Sequence, residues 1–460
     1  MTSHLVHFRI PPGSFVFGLF LLAGCSLYHP KPLTSAAVEA GLKTPPIAQL
    51  RVEASRIKHP VLRRVPLDLK DGINPDEAAI LAVLLNPSLR ADRDRHGLAT
   101  AQLIQAGVLP NPQISYGADY VIGGNTAGTI NAFGLSGSWD VTSLVTLLPK
   151  IEAGRANVRA VDLDVAWVEW QAAEGARLAV YRVRALQEQL AEAQESDTLL
   201  RKNVATLEKA VNEHNRTALD LAAARSTSED AHLTALNIAQ ELARQRLALN
   251  RAMGLPPDAI VRVAGADLPT RLPAPDAAGL SAGLEDRRLD LLGLKQGYES
   301  EDATLRAAIL AQFPKISVGF NRATDTSNVQ TLGFGITVDI PSLDRNQGNI
   351  ATERATRQKL FDEYTDRVFQ ARADIATALS DIRHLNEQVA AAEAAVPALE
   401  RVLTTAEAAL QEGNTDVLSF YQARYDLILR KIDVLKLQQQ LIEAHVALEI
   451  AAGCYLPVSS

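Results

Sequence analysis

The feature that most constrains this chain is that it is written twice. Pro112-Gln113-Ile114-Ser115-Tyr116-Gly117 recurs 202 positions on as Pro314-Lys315-Ile316-Ser317-Val318-Gly319, and the same offset lays Asn86-Pro87-Ser88-Leu89 on Arg288-Leu289-Asp290-Leu291. From Val141-Thr142-Ser143-Leu144, on Ile340-Pro341-Ser342-Leu343, the offset becomes 199. It then holds through Glu213 and Asn215 (on Glu412 and Asn414) to Gly254 on Gly453. The three-residue change falls between 122 and 131, in the turn-rich stretch GGNTAGT. A gap confined to a turn is what a structural repeat requires.

Periodicity changes in the same order in both copies. Residues 76–107 and 285–312 read as helices rich in Ala, Leu and Arg. Strict alternation follows in the hairpins 112–141 and 314–340. Ile114, Tyr116, Ala118, Tyr120 and Ile122, then Phe133, Leu135, Gly137, Trp139 and Val141, alternate with small or polar residues. Ile316, Val318 and Phe320, then Leu332, Phe334, Ile336, Val338 and Ile340, repeat the pattern opposite Lys315, Ser317, Asn321, Gly333, Gly335, Thr337 and Asp339. These are strands with one greasy face and one small or polar face. Long helical patterns then run from near Ile151 to Asn212 and from near Ile350 to Gln411. At 1.5 Å per residue each is roughly 90 Å long. Return helices span 218–253 and 417–452, and Pro397 is expected to kink the second long helix. A leading and a return helix stacked end to end would match one long helix in height.

The N-terminus supplies the compartment. His4, His7 and Arg9 precede the apolar run Phe15–Ala23, and Leu22-Ala23-Gly24-Cys25 follows. This reads as a secretory signal over 1–24, too short to span a membrane. Its end resembles a bacterial lipoprotein signal. That resemblance implies acyl chains on Cys25 and, with Ser26 next, sorting to the outer membrane. The other cysteine, Cys454, is then left without a partner for an intrachain disulfide.

Composition limits the rest. Of 460 residues 47% are hydrophobic and 22% charged, which excludes disorder, and the formal charge of −7 offers no footprint for nucleic acid. Nine scattered histidines and two methionines give no metal-ligand spacing and no Met-rich conduit. No nucleophile motif, catalytic carboxylate pair or phosphate loop stands out, so neither an enzyme nor a cofactor is expected.

A half-buried sheet in a soluble protein would alternate in the same way. The lipoprotein signal and the Gly/Ser/Asn/Asp/Lys face point instead to a sheet crossing a membrane around a wet lumen. Four strands cannot close a barrel, and open edges are not tolerated in lipid. Two, three or four copies would give eight, twelve or sixteen strands.

Over roughly residues 70–457 the chain resembles the TolC-type outer membrane efflux proteins. The matching features are the tandem repeat, Asn86-Pro87-Ser88-Leu89, Leu109-Pro110-Asn111-Pro112, Asp339-Ile340-Pro341-Ser342-Leu343-Asp344-Arg345 and Leu249-Asn250-Arg251-Ala252-Met253-Gly254-Leu255. The resemblance implies a mainly α protomer with a small transmembrane β part. Three protomers would form an α-barrel and a β-barrel, the exit duct of a tripartite efflux pump. It implies a periplasmic adaptor and an inner-membrane transporter of the resistance-nodulation-division type as partners. A duct for type I protein secretion shares the architecture, and a lipid-anchored periplasmic scaffold is the alternative without a pore.

The expected organisation is an N-terminal equatorial segment 25–75, a first repeat 76–254, an equatorial linker 255–284, a second repeat 285–453 and a tail 454–460. The resemblance places adaptor docking at the helical tips, Asn215, Arg216 and Thr217 in the first copy and Gly413, Asn414 and Thr415 in the second. Acidic residues just beyond would ring the periplasmic entrance, with Asp416 and Asp220 as candidates; Asp416 as a simple helix cap explains that residue nearly as well. His214 stands where the second copy has Gly413, so the first tip is expected to differ in shape. Drug, metal-ion and solvent cargoes all stay open.

Overall fold

A computed structural model describes residues 27–265, 268–412 and 417–457. Of these, residues 27–45 form a unit of their own. It holds helix α1 (Ser35–Leu42), started by the Thr34 hydroxyl accepting the Ala37 N–H at 3.2 Å.

The remainder opens with α2 (Ile47–Arg56) and α3 (Pro75–Leu85). Asn74 starts α3 through a capping box with Glu77, and Pro75 fits the first helical position because its missing N–H would have had no partner there. Helix α3 is apolar on every side and is accordingly buried, Ala78 to Val83 lying inside the core. Asn86 then both ends α3 and caps α4 (Pro87–Ala106), accepting the Ser88 N–H. The expected helix over 76–107 is therefore two helices, because Pro87 cannot donate back to α3.

Strands β1 (Gln113–Asp119) and β2 (Ala132–Asp140) follow, then the long helix α5 (Ser143–Asn212) and its return α6 (Ala218–Met253). The second copy gives two short helices, α7 (Ala277–Ser281) and α8 (Leu284–Arg287), then α9 (Leu289–Leu310), β3 (Lys315–Thr324) and β4 (Gln330–Asp339). Its long pair is α10 (Gln347–Gln411) and α11 (Val417–Ala452). Helix α5 begins eight residues before the expected Ile151 and runs through Pro149; its 70 residues span about 105 Å. The helical backbone of α10 likewise continues through Pro397. Strand β1 stops short of the expected Ile122, since the Val121 N–H is taken by the Asn131 side chain at 3.3 Å.

A return helix meets the start of a leading helix at one junction in each copy. Gly254, left-handed at φ 71°, ends α6 against the α3–α4 break: a Cβ there would lie 2.6 Å from the Leu85 carbonyl carbon. Gly453, at φ 69°, ends α11 against Arg288, whose Nη1 donates to the Ala451 carbonyl at 3.0 Å. Asn86 aligns with Arg288 and Gly254 with Gly453, so the same contact is made once in each copy. The 57–74 segment and the linker meet as well: Ile73 N–H donates to Arg262 O at 2.8 Å and Ala264 N–H to Ile73 O at 3.0 Å. His59 pins the same segment to α5, its Nδ1 accepting the Val61 and Leu62 amides while Nε2 donates to Ala166 O. Burial holds this imidazole below its usual pKa, in keeping with a neutral ring.

Candidate functional site: an exposed apolar sheet and helical tips

The four strands form one antiparallel sheet in the order β1-β2-β3-β4. Its central pairing, β2 with β3, joins the two copies. The register puts Ile114, Gly137, Phe320 and Phe334 in one row across the sheet, and Trp139, Val318 and Ile336 in the next. These apolar side chains face away from the core. Ile114 is 76% exposed, Phe334 84% and Ile336 71%. Gly137 leaves room for the Phe320 ring, which a Cβ at position 137 would meet at 2.6 Å. At the end of the row set, the Trp139 indole N–H donates to Pro110 O at 2.8 Å. Arg322, level with Leu135 and Leu332, is the one charge on this face of β3, two residues from the strand end. There a long side chain can reach past an apolar band.

The opposite face is small and polar. The Ser115 and Ser136 hydroxyls meet at 2.8 Å, and Lys315 stands across from Asp339. Strands of 7 to 10 residues extend about 24–34 Å, close to the apolar band of a β-barrel. Among the described residues β1 and β4 have no partner on their outer edges. No helix among them is long and apolar enough to cross a membrane.

At the far end of α5 lies the first tip. Helix α5 closes with Glu213 N–H on Lys209 O, and His214 takes φ 61°. This is the left-handed conformation that glycine adopts without cost. His214, which aligns with Gly413 of the second copy, thus carries a glycine-like backbone in this turn. Thr217 and Asp220 form a capping box that starts α6: Thr217 Oγ1 accepts the Asp220 N–H at 3.2 Å and Asp220 Oδ2 accepts the Thr217 N–H at 3.1 Å. That backbone bond, with the Thr217 hydroxyl, holds the Asp220 carboxyl below the ordinary carboxylate range. Asp220 therefore has a structural task at the tip, and its exposed carboxylate stays charged through the neutral range. Asn215 and Arg216 sit in the same turn, Asn215 donating to Glu213 at 3.3 Å. Thr217→Ala removes the acceptor; hydrogen exchange at the Asp220 amide should then quicken several-fold while the amides of mid-α6 keep their rate. Cys25, Gly413, Asn414, Thr415 and Asp416 lie outside the described residues.

Comparison with known proteins gives this geometry a class. Residues 281–454 match the family model described as outer membrane efflux protein. That segment is thus similar to an outer membrane efflux protein domain, and the chain as a whole shares the fold of outer membrane efflux channels. Among individual relatives, the cation efflux system protein CusC of Escherichia coli K12 is 25% identical over 345 residues, spanning 72% of this chain and 74% of CusC. A crystal structure of CusC superposes with a TM-score of 0.69 at 21% identity, covering 87% of this chain and 99% of that one. The outer-membrane channel OprN matches at 0.69 (17% identity, 82% and 89% covered). The open state of the Neisseria gonorrhoeae MtrE outer membrane channel matches at 0.68 (18% identity, 87% and 97% covered).

Proposed function

We propose that three copies of this chain close a twelve-stranded barrel in the outer membrane, and that this tube is the exit duct of a tripartite efflux system. One observation carries the reading: a four-stranded sheet with a solvent-exposed apolar face, a small polar face and two open edges. Open edges are too costly in lipid to be left unpaired, so β1 of one copy must meet β4 of the next. Three copies fit the family's architecture. The polar face then lines a wet lumen, and helices of about 100 Å continue the tube into the periplasm. Conduction is passive, through a lumen of small and polar side chains.

The finer assignments follow from this reading. Acylated Cys25 anchors the protomer to the membrane. The tips around Asn215–Thr217 and Gly413–Thr415 dock a periplasmic adaptor, which links the duct to an inner-membrane pump of the resistance-nodulation-division type. Three copies of Asp416 narrow the entrance and disfavour anions. The resemblance to CusC, named a cation efflux system protein, makes a cationic cargo the first to test.

Purified protein reconstituted in planar bilayers should show discrete conductance steps, and it should run as a trimer in detergent. A monomer without conductance would overturn the duct. For the cargo, a strain lacking the gene should accumulate the transported cation and recover export on complementation. Unchanged tolerance to cations with failed export of a secreted protein would instead assign the chain to secretion.

A further inference from the structure

Where the second repeat ends, three carboxyl groups converge on one guanidinium. Arg177 Nη1, on α5, donates to both oxygens of Glu174 one turn upstream (3.0 and 2.8 Å) and to Glu449 Oε2 on α11 at 2.7 Å. Its Nε lies 3.2 Å from Asp76 on α3. Glu174 and Glu449 are fully buried, whereas Asp76 is one-third exposed. The other oxygen of Glu449 accepts the Leu456 N–H at 2.9 Å, fastening the segment that follows α11. Tyr455 lies edge-on to Trp170 (centroids 4.7 Å), under the guanidinium groups of Arg177 at 4.7 Å and Arg63 at 4.3 Å. His445, also buried, sits 3.6 Å from Glu449, beyond hydrogen-bond distance. Tyr181 is the remaining titratable group against the cluster. One turn away Arg182 and Glu443 bridge α5 and α11 again at 2.8 Å.

Charge counting decides the chemistry. Two carboxylates cannot both stay ionised on one donor nitrogen in a dry site, so one keeps its proton. Burial pushes the Glu174 carboxyl up to about 8, Arg177 pulling against the shift and Glu449 adding to it. Burial pushes the Glu449 carboxyl up as well, but His445, Arg177 and the Leu456 amide outweigh it and hold this group below the ordinary range.

We propose that Glu174, Arg177 and Glu449 form a proton-operated latch that holds the Tyr455–Leu456 segment against α5, closed while Glu174 is protonated and open when it is not. With the proton in place, Glu174 is a neutral partner, and Glu449 keeps one oxygen for Arg177 and one for Leu456. Loss of the proton to solvent leaves two buried anions sharing one cation. Their repulsion is relieved by moving the end of α11 and its tail away from α5, which breaks the Glu449–Leu456 bond and exposes Tyr455. The latch belongs to this chain's own helix junction and does not depend on what the duct carries.

Cys454, half-buried beside the tail, is a built-in reporter. In the full chain in detergent, its alkylation by N-ethylmaleimide is followed residue by residue in wild type and in Glu174→Gln, which keeps a neutral partner at every pH. Comparing both proteins at the same pH cancels the titration of the thiol itself. Between pH 7 and 9.5 the wild-type rate should outgrow the variant's by about tenfold, the change in the ionised fraction of a group near 8. Parallel rates would overturn the latch. A second measurement needs no variant: hydrogen exchange at the Leu456 amide, corrected for its intrinsic rate, should lose protection over pH 6.5–9.5 while amides around Met253, at the other copy's junction, stay protected. Constant protection at Leu456, or equal loss at both junctions, would also overturn it.

Discussion

Arg177→Met should destabilise the folded protein by about 3–5 kcal/mol, the cost of removing one partner from a buried ion pair. The side chain being lost is 6% exposed, and it leaves Glu174 and Glu449 buried without their common cation. Methionine fills much of the same space, so the loss reports charge rather than a cavity. A shifted denaturation midpoint in urea, or a lowered melting temperature of the assembled protein, measures it. A change smaller than about 1 kcal/mol would mean that the carboxylates relax into solvent. The pH dependence has a definite sign at each site. Between 4.5 and about 8, the folded protein holds a proton on Glu174 that the unfolded chain has released, so this group's contribution falls as pH rises through that window. Glu449, held down, contributes above its ordinary 4.5 and loses that contribution as pH falls through its folded value. His59, also held down, costs stability as pH drops below 6.5, because the unfolded ring then takes up a proton that the folded ring refuses.

Gly254→Val should be about as damaging, by a different route. The backbone at φ 71° costs an L-residue about 1–2 kcal/mol before any contact is considered. The added Cβ would then sit 2.6 Å from the carbonyl carbon and oxygen of Leu85, backbone atoms that cannot rotate away. Relief requires α6 to withdraw from the α3–α4 break, giving up the Asn86 Nδ2 bond to Ala252 O at 3.4 Å. We expect a total near 3 kcal/mol, or failure to assemble. Gly297→Ala is the control. It lies within α9 with open space around it, and alanine there should stabilise by up to about 1 kcal/mol. Equal effects at the two glycines would show that the close approach at Gly254 is not maintained in solution.

Much of the fold can be read before any coordinates, because periodicity and repetition are long-range signals. The 202 and 199 offsets, the four alternating strands and the paired long helices all reappear. Boundaries proved harder where a local residue pulls against its context. Pro149 argues for a helix start near 151, yet the helix reaches back to Ser143; Pro87 looks like an interior residue of one helix, yet it separates two. The first turn was legible in position, but the Thr217–Asp220 box gives Asp220 a structural task that its charge alone does not disclose. The Glu174–Arg177–Glu449 cluster left almost no trace. Glu174 and Arg177 stand three apart on a helix, a spacing that on any exposed face is an ordinary surface pair. Only the packing of α11 from the other repeat, 272 residues later, turns that pair into a buried one.

The central pairing of the sheet has a consequence for the order of events after synthesis. Strand β2 ends at Asp140 and β3 starts at Lys315, so 174 residues of mostly helical chain intervene before they can meet. Local helical hairpins form in microseconds, whereas a contact across such a span waits on loop closure. Each two-stranded hairpin is too small to be stable alone, so the sheet depends on the docking of the two copies. The continuous greasy surface comes into being only once both halves are docked, so neither copy presents it by itself.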